Sequence, residues 1–220
     1  MARIVPFPIS KVPPEKSHAL AEKGFSDVLT LAPEDAGAIG FLMAQAPFRR
    51  GAILWVRDRM SAREAGEMYL VRHLLLCAPR RPQGVLQAME DGLACSGIGA
   101  VVGELWGCPR ELTFTATKRL AMRSEASGVP CVLIRHNARA EISAARNRFR
   151  IGCLPSALNP DDPGAPGDPR WRVELFRSRT QAPGAWVVRH DRAADRLDFT
   201  PLAADGAVDP DRARNGRARS

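Results

Sequence analysis

Thr30-Leu31-Ala32-Pro33-Glu34-Asp35-Ala36-Gly37-Ala38-Ile39 decides the fold. A short apolar strand, Asp27-Val28-Leu29-Thr30-Leu31, runs into a glycine-containing turn that opens an apolar helix. That order is where a phosphate-binding loop belongs. A working loop reads G-x-x-x-x-G-K-S/T: glycines let backbone N–H groups wrap the phosphates, the lysine neutralises them, and the hydroxyl holds magnesium. Here the frame holds Ala32, four residues, then Gly37-Ala38-Ile39. The second glycine is kept, while alanine replaces the lysine and isoleucine the hydroxyl. Such a stretch reads as nucleotide-binding architecture stripped of nucleotide chemistry, with no cofactor expected. Gly37 and a helix start can still attract a phosphate, which leaves weak residual nucleotide binding as the alternative. Glu34 and Asp35 argue against it, because two carboxylates beside the site repel an anion.

Outward from the loop, an apolar helix over 37–45 ends before Pro47, and its all-round apolar character makes it a core helix. Ala52-Ile53-Leu54-Trp55-Val56 reads as a second buried strand, followed by a short helix capped by Ser61 and running to Met68. His73-Leu74-Leu75-Leu76-Cys77 is a third strand. The helix over 82–96 carries Val85, Met89 and Leu93 on one stripe and Gln87, Glu90 and Asp91 opposite. Gly99-Ala100-Val101-Val102-Gly103-Glu104-Leu105 follows as a strand, then a helix over about 115–127 stopped by Gly128 and Pro130, then strand Cys131-Val132-Leu133-Ile134-Arg135. Strands without alternation, separated by helices, predict a parallel sheet covered on both faces.

The texture changes after Asn137. Four runs, 148–153, 171–177, 185–188 and 196–199, alternate apolar with polar residues and predict antiparallel, half-exposed strands. Residues 159–169 form a loop and 178–184 a hairpin tip. Residues 1–23, with Phe7-Pro8-Ile9 and Pro13-Pro14, suit an extended N-terminal arm. Residues 24–202 form one α/β domain, and 203–220, with four arginines among Gly, Ala and Asp, a disordered basic tail.

Composition narrows the function classes. The chain has 220 residues, 45% hydrophobic and 25% charged, enough for one substantial core. A net charge of +8 favours an acidic partner such as nucleic acid. Only four of the basic residues are lysines, and arginine bias partly follows genome composition, which weakens that signal. Five scattered cysteines and four scattered histidines hold no metal or nucleophile spacing. No apolar run approaches the roughly 20 residues needed to span a bilayer, so a cytoplasmic protein with no membrane partner is expected.

A parallel α/β core that starts at a phosphate-loop position and finishes in antiparallel strands is the layout of the RecA-like domain. Ala32-Pro33-Glu34-Asp35-Ala36-Gly37 resembles the G-P-E-S-S-G of the RecA loop. Ala100-Val101-Val102-Gly103-Glu104-Leu105-Trp106-Gly107, Leu112-Thr113 with Arg119-Leu120, and Asn147-Arg148-Phe149-Arg150-Ile151 resemble the ImuA family of damage-inducible mutagenesis proteins. Pro169-Arg170-Trp171-Arg172-Val173-Glu174-Leu175 is the most specific piece. The resemblance implies a RecA-related accessory factor of error-prone translesion DNA synthesis in the bacterial SOS response. The implied partners are ImuB, an inactive Y-family polymerase homologue, and an error-prone replicative-type polymerase, with RecA and single-stranded DNA as further candidates.

For ATP hydrolysis a second element is needed, an acid ending a buried strand. The aspartate position falls on Gly103 and Glu104 is one residue late, a slip that points the carboxylate to the other face. A non-catalytic protein is therefore expected, against the alternatives of a divergent ATPase or recombinase paralogue and of a SulA-like cell-division inhibitor. Candidate DNA or partner contacts are Arg139, Arg146, Arg148 and Arg150, which follow the last parallel strand, and Arg177 and Arg179 at the hairpin tip. A solvated strand face with arginine stems on the core is the competing explanation.

Overall fold

In a computed structural model, Leu20 and residues 24–45, 52–66 and 74–202 are described. The expected tail, and the expected arm apart from Leu20, lie outside the described residues. Leu20 itself is buried, and its N–H donates to Gln45 Oε1.

The chain alternates strand and helix, then turns to strands alone: β1 (Phe25–Thr30), α1 (Gly37–Met43), β2 (Ala52–Arg57), α2 (Arg59–Glu64), β3 (Leu74–Cys77), α3 (Pro82–Leu93), β4 (Ile98–Trp106), α4 (Phe114–Ser127) and β5 (Cys131–His136), then β6 (Asn147–Leu154), β7 (Arg170–Ser178), β8 (Gly184–Asp191) and β9 (Arg196–Pro201). One sheet of nine strands has the order β3-β2-β4-β5-β1-β6-β7-β8-β9. Strands β1 to β6 pair parallel and β6 to β9 antiparallel. The expected α/β fold, a mostly parallel sheet flanked by helices and continued by antiparallel strands, is the one found. Strand β6 departs from the pattern expected of it, being parallel to β1 on one side and antiparallel to β7 on the other.

Two apolar layers sandwich the parallel part. Ala38, Phe41 and Leu42 of α1 join Val28, Trp55, Val102 and Ile134 on one face, and Val85 and Met89 of α3 with Leu120 of α4 join Val101, Leu105 and Leu133 on the other. Alternation along β4 thus sends successive residues to different helices. The α1 layer continues under β6 to β8 through Ile151, Trp171, Val173 and Trp186.

Local chemistry accounts for the ends. Thr113 Oγ1 accepts the Ala116 N–H at the start of α4, and Gly128, at φ 72°, closes it in the left-handed conformation. Helix α2 corrects an expectation: it is capped by Asp58, whose Oδ1 accepts the Ser61 N–H, and ends at Glu64, while Met68 lies outside the described residues. Glu90, expected on the solvent side of α3, is 4% exposed and pairs with Arg119 at 2.8 Å and Arg123 at 3.5 Å. Strand β3 is at the sheet edge, with Leu75 and Leu76 exposed. Among the described residues no helix is long and apolar enough to cross a membrane.

Candidate functional site

The C-terminal ends of the parallel strands form one rim, and the turn between β1 and α1 lies on it. After Thr30 the chain turns through Leu31 to Ala36, and α1 begins at Gly37. Asp35 fills the turn from within. Its Oδ1 accepts the Gly37 N–H at 2.7 Å, and its two carboxylate oxygens accept the Cys153 N–H at 3.1 and 3.0 Å. The loop thereby supplies its own anion at the backbone donor with which a phosphate loop would bind a ligand.

Close packing against β6 adds to this. A Cβ on Gly37 would stand 2.5 Å from the Cys153 backbone nitrogen and 2.7 Å from the Gly152 carbonyl carbon, so the glycine is required by strand contact. Ala38 is buried in the α1 layer and Ile39 lies half-buried against it. Ala32, Pro33 and Glu34 are exposed. Burial, together with the Asp35 hydrogen bond and charge, pushes the Cys153 thiol up to about 11.

The two acid positions of β4 separate as strand alternation requires. Gly103 faces α3, where a Cβ would meet Met89 Sδ at 2.2 Å, leaving no room for any side chain. Glu104 faces the α1 side. The one-residue slip therefore carries the carboxylate onto the face of the loop helix, the reverse of what was expected. It is nevertheless fully buried: Oε1 accepts the Trp55 indole N–H and lies 3.6 Å from Arg57 Nε, and Oε2 is 2.9 Å from His136 Nε2. The His136 ring stacks on Trp106 with centroids 6.1 Å apart. This cluster ties the ends of β2, β4 and β5 together. Among the described residues, no group of three or more His, Cys, Asp or Glu is placed to hold a metal ion.

The six arginines singled out in the sequence separate into different environments. Arg148 corrects its expectation: 4% exposed, it holds Asp27 Oδ2 through Nε at 3.1 Å and through Nη2 at 3.0 Å. Arg135, also buried, lies 4.0 Å from the same carboxylate and 3.0 Å from Glu141. Burial raises the Asp27 carboxyl above its usual range, against the downward pull of both guanidiniums. Arg150 is half-buried, bonded to Glu174 at 2.8 Å and stacked over the Phe176 ring at 4.3 Å. Arg139 is exposed on the rim, whereas Arg146, Arg177 and Arg179 gather where β6 begins and the β7–β8 hairpin turns, at the opposite end of the sheet. Arg179 ties that end together, its backbone N–H donating to Arg146 O and its guanidinium to Ala144 O.

Residues 137–146, which follow β5 and carry Arg139 and Arg146, are a strap. They return from the rim to the other end of the sheet beside α4. Ser143, Ala144 and Ala145 are buried, and the Ala144 N–H donates to Thr117 Oγ1 at 3.1 Å. On the rim, a cleft of about 490 Å³ opens between Leu31, Ala32 and Pro33 on one wall and Cys108, Asn137 and Arg139 on the other.

Residues the sequence did not single out complete the rim. Arg59 follows β2, Arg80 and Arg81 follow β3, and Arg110 follows β4, all exposed. Their common signal is position: an arginine two to four residues beyond the end of a parallel strand.

No family model matches the chain. Two proteins named Protein ImuA, from Caulobacter vibrioides strains NA1000 / CB15N and ATCC 19089 / CIP 103742 / CB 15, are each 30% identical to it over 200 residues, covering 85% of this chain and 80% of each relative. With that identity over most of both lengths, the chain belongs to the ImuA family.

Proposed function

We propose that the chain is a non-catalytic, RecA-like accessory protein of damage-inducible mutagenesis, acting in the cytoplasm within the SOS response. It recruits or assembles an error-prone polymerase complex with an inactive Y-family polymerase homologue and a replicative-type polymerase. The partner side of this reading rests on family membership. The non-catalytic side rests on one observation above the others, the Asp35 carboxylate bonded to the Gly37 and Cys153 N–H groups where a nucleotide phosphate would be held. Buried Ala38 in place of a lysine and Glu104 enclosed by Trp55 and His136 support it.

In this reading the fold is kept for its shape. The hairpin end with Arg146, Arg177 and Arg179 is the protein-partner surface, and Arg139 on the rim is the DNA-facing candidate. Arg148 serves the core, and Arg150 is held by Glu174. Co-expression of the chain with an inactive Y-family polymerase homologue tests the proposal. Co-purification that Arg177→Glu with Arg179→Glu abolishes is the expected result. Absence of any complex, together with binding to a cell-division protein, would overturn it.

A further inference from the structure

The rim carries a row of cations that no catalytic reading uses. The sheet order β3-β2-β4-β5 places Arg80 and Arg81, Arg59, Arg110 and Arg139 at the ends of four adjacent parallel strands. Neighbouring strands lie about 4.8 Å apart, so the row spans roughly 15 Å. The exits are physically joined: Asp58 Oδ2 accepts the Trp106 N–H at 3.2 Å, Gly107 N donates to His136 O at 2.7 Å, and Cys108 Sγ lies 3.9 Å from Arg139 O.

The acids nearby leave the row largely uncompensated. Asp58 is buried and used as a helix cap, Glu141 is taken by Arg135, and Glu111 pairs with Arg110 at 3.5 Å in an exposed pair of little strength. The contrast with β1 is sharp, since its exit carries Glu34 and Asp35 and no cation. The helix that follows Arg110 opens on an exposed aromatic ring: Phe114, the first residue of α4, is 50% exposed.

We infer that this row is a binding surface for the backbone of single-stranded nucleic acid, entering beside Arg139 and running over Arg110 and Arg59 to Arg80 and Arg81, with Phe114 stacking on an unpaired base. Charge complementarity selects a polyanion, and the regular spacing of one exit per strand fits a repeating phosphate chain. An exposed aromatic four residues beyond Arg110 selects unpaired bases over duplex, because only an unstacked base presents its face to a ring. The inference deepens the proposed accessory role and rests on it for the identity of the polyanion. The two fail separately, since oligonucleotide binding by the isolated chain requires no polymerase partner.

The test is fluorescence anisotropy of a labelled oligothymidylate of about 20 nucleotides with the full chain, across a salt series. The triple variant Arg59→Gln, Arg80→Gln, Arg81→Gln is expected to bind about tenfold or more weakly, with the salt slope reduced by roughly 2. Phe114→Ala should lower affinity for the single strand and leave duplex binding unchanged. Arg196→Gln, on β9 at the opposite edge of the sheet from β3, should bind as wild type, and unchanged thermal unfolding of every variant keeps the comparison interpretable. Equal binding by wild type and triple variant would overturn the inference. So would no oligonucleotide binding at all, or binding of a polyglutamate probe in preference to the oligonucleotide.

Discussion

The exit of β1 and the exits of β2 to β5 share one rim and meet solvent with opposite chemistry. At β1 the turn is closed from inside, with a carboxylate on the backbone donors and a glycine pressed against the neighbouring strand. At β2 to β5 the exits end in exposed arginines. Both arise from the same topology, since parallel strands deliver their connections to one edge where ligands collect. The difference teaches that one edge can satisfy its own backbone donors at one position while presenting exposed cations at four others. A side chain that satisfies the fold's own donors leaves nothing for a ligand; one that satisfies none remains available.

The largest effect expected lies beneath the rim, and it separates core arginines from edge arginines. Arg148→Ala should reduce stability by about 3 kcal/mol in urea denaturation, because it removes the closest partner of the buried Asp27 carboxylate. Gly37→Ala comes next, costing about 1–3 kcal/mol, since the new methyl group must push backbone atoms of β6. If Gly37→Ala were neutral, the β1 exit would be looser than its contacts indicate.

Asp35→Ala should cost about 1 kcal/mol, the usual value of a helix-start acceptor. It should also change Cys153. In the wild-type chain the thiol, at about 11, is almost wholly protonated near pH 8, so alkylation by iodoacetamide is slow and rises only as pH approaches 11. Removing the Asp35 charge and hydrogen bond lowers that value and speeds alkylation at pH 8; an unchanged rate would mean the carboxylate is not seated there. Smallest of all, Arg59→Ala and Arg110→Ala should each shift stability by less than about 0.5 kcal/mol, as fits side chains that face solvent.

Much of this architecture was legible in the chain because it is local. The strand–turn–helix at 30–39, the stripe Val85, Met89 and Leu93, and the Thr113 and Gly128 ends of α4 each depend on residues a few positions apart. What was not legible depends on pairing across the fold. Arg148 looks like one outward residue of an alternating strand, yet its partner Asp27 is 121 positions away, brought close only by β6 lying parallel to β1. Glu90 has the spacing of a solvent-facing residue until α4 lays Arg119 and Arg123 over it. Ser61 and Asp58 are equally good caps by type, and only the strand end at Arg57 decides between them. The strap over 137–146 has no periodicity to betray it, because what holds it down is Thr117 of another element. Within the candidate site, the lost lysine and hydroxyl were readable, whereas the role of Asp35 as occupant of the turn needed the position of Cys153.

The most direct test of the closed β1 exit is equilibrium dialysis of the full chain against magnesium and labelled ATP at concentrations up to about 1 mM. Expected is no saturable binding, either to wild type or to Ala38→Lys, since Asp35 still holds the Gly37 N–H and Glu104 remains enclosed by Trp55 and His136. Saturable binding in the micromolar range that Glu104→Gln abolishes would contradict it.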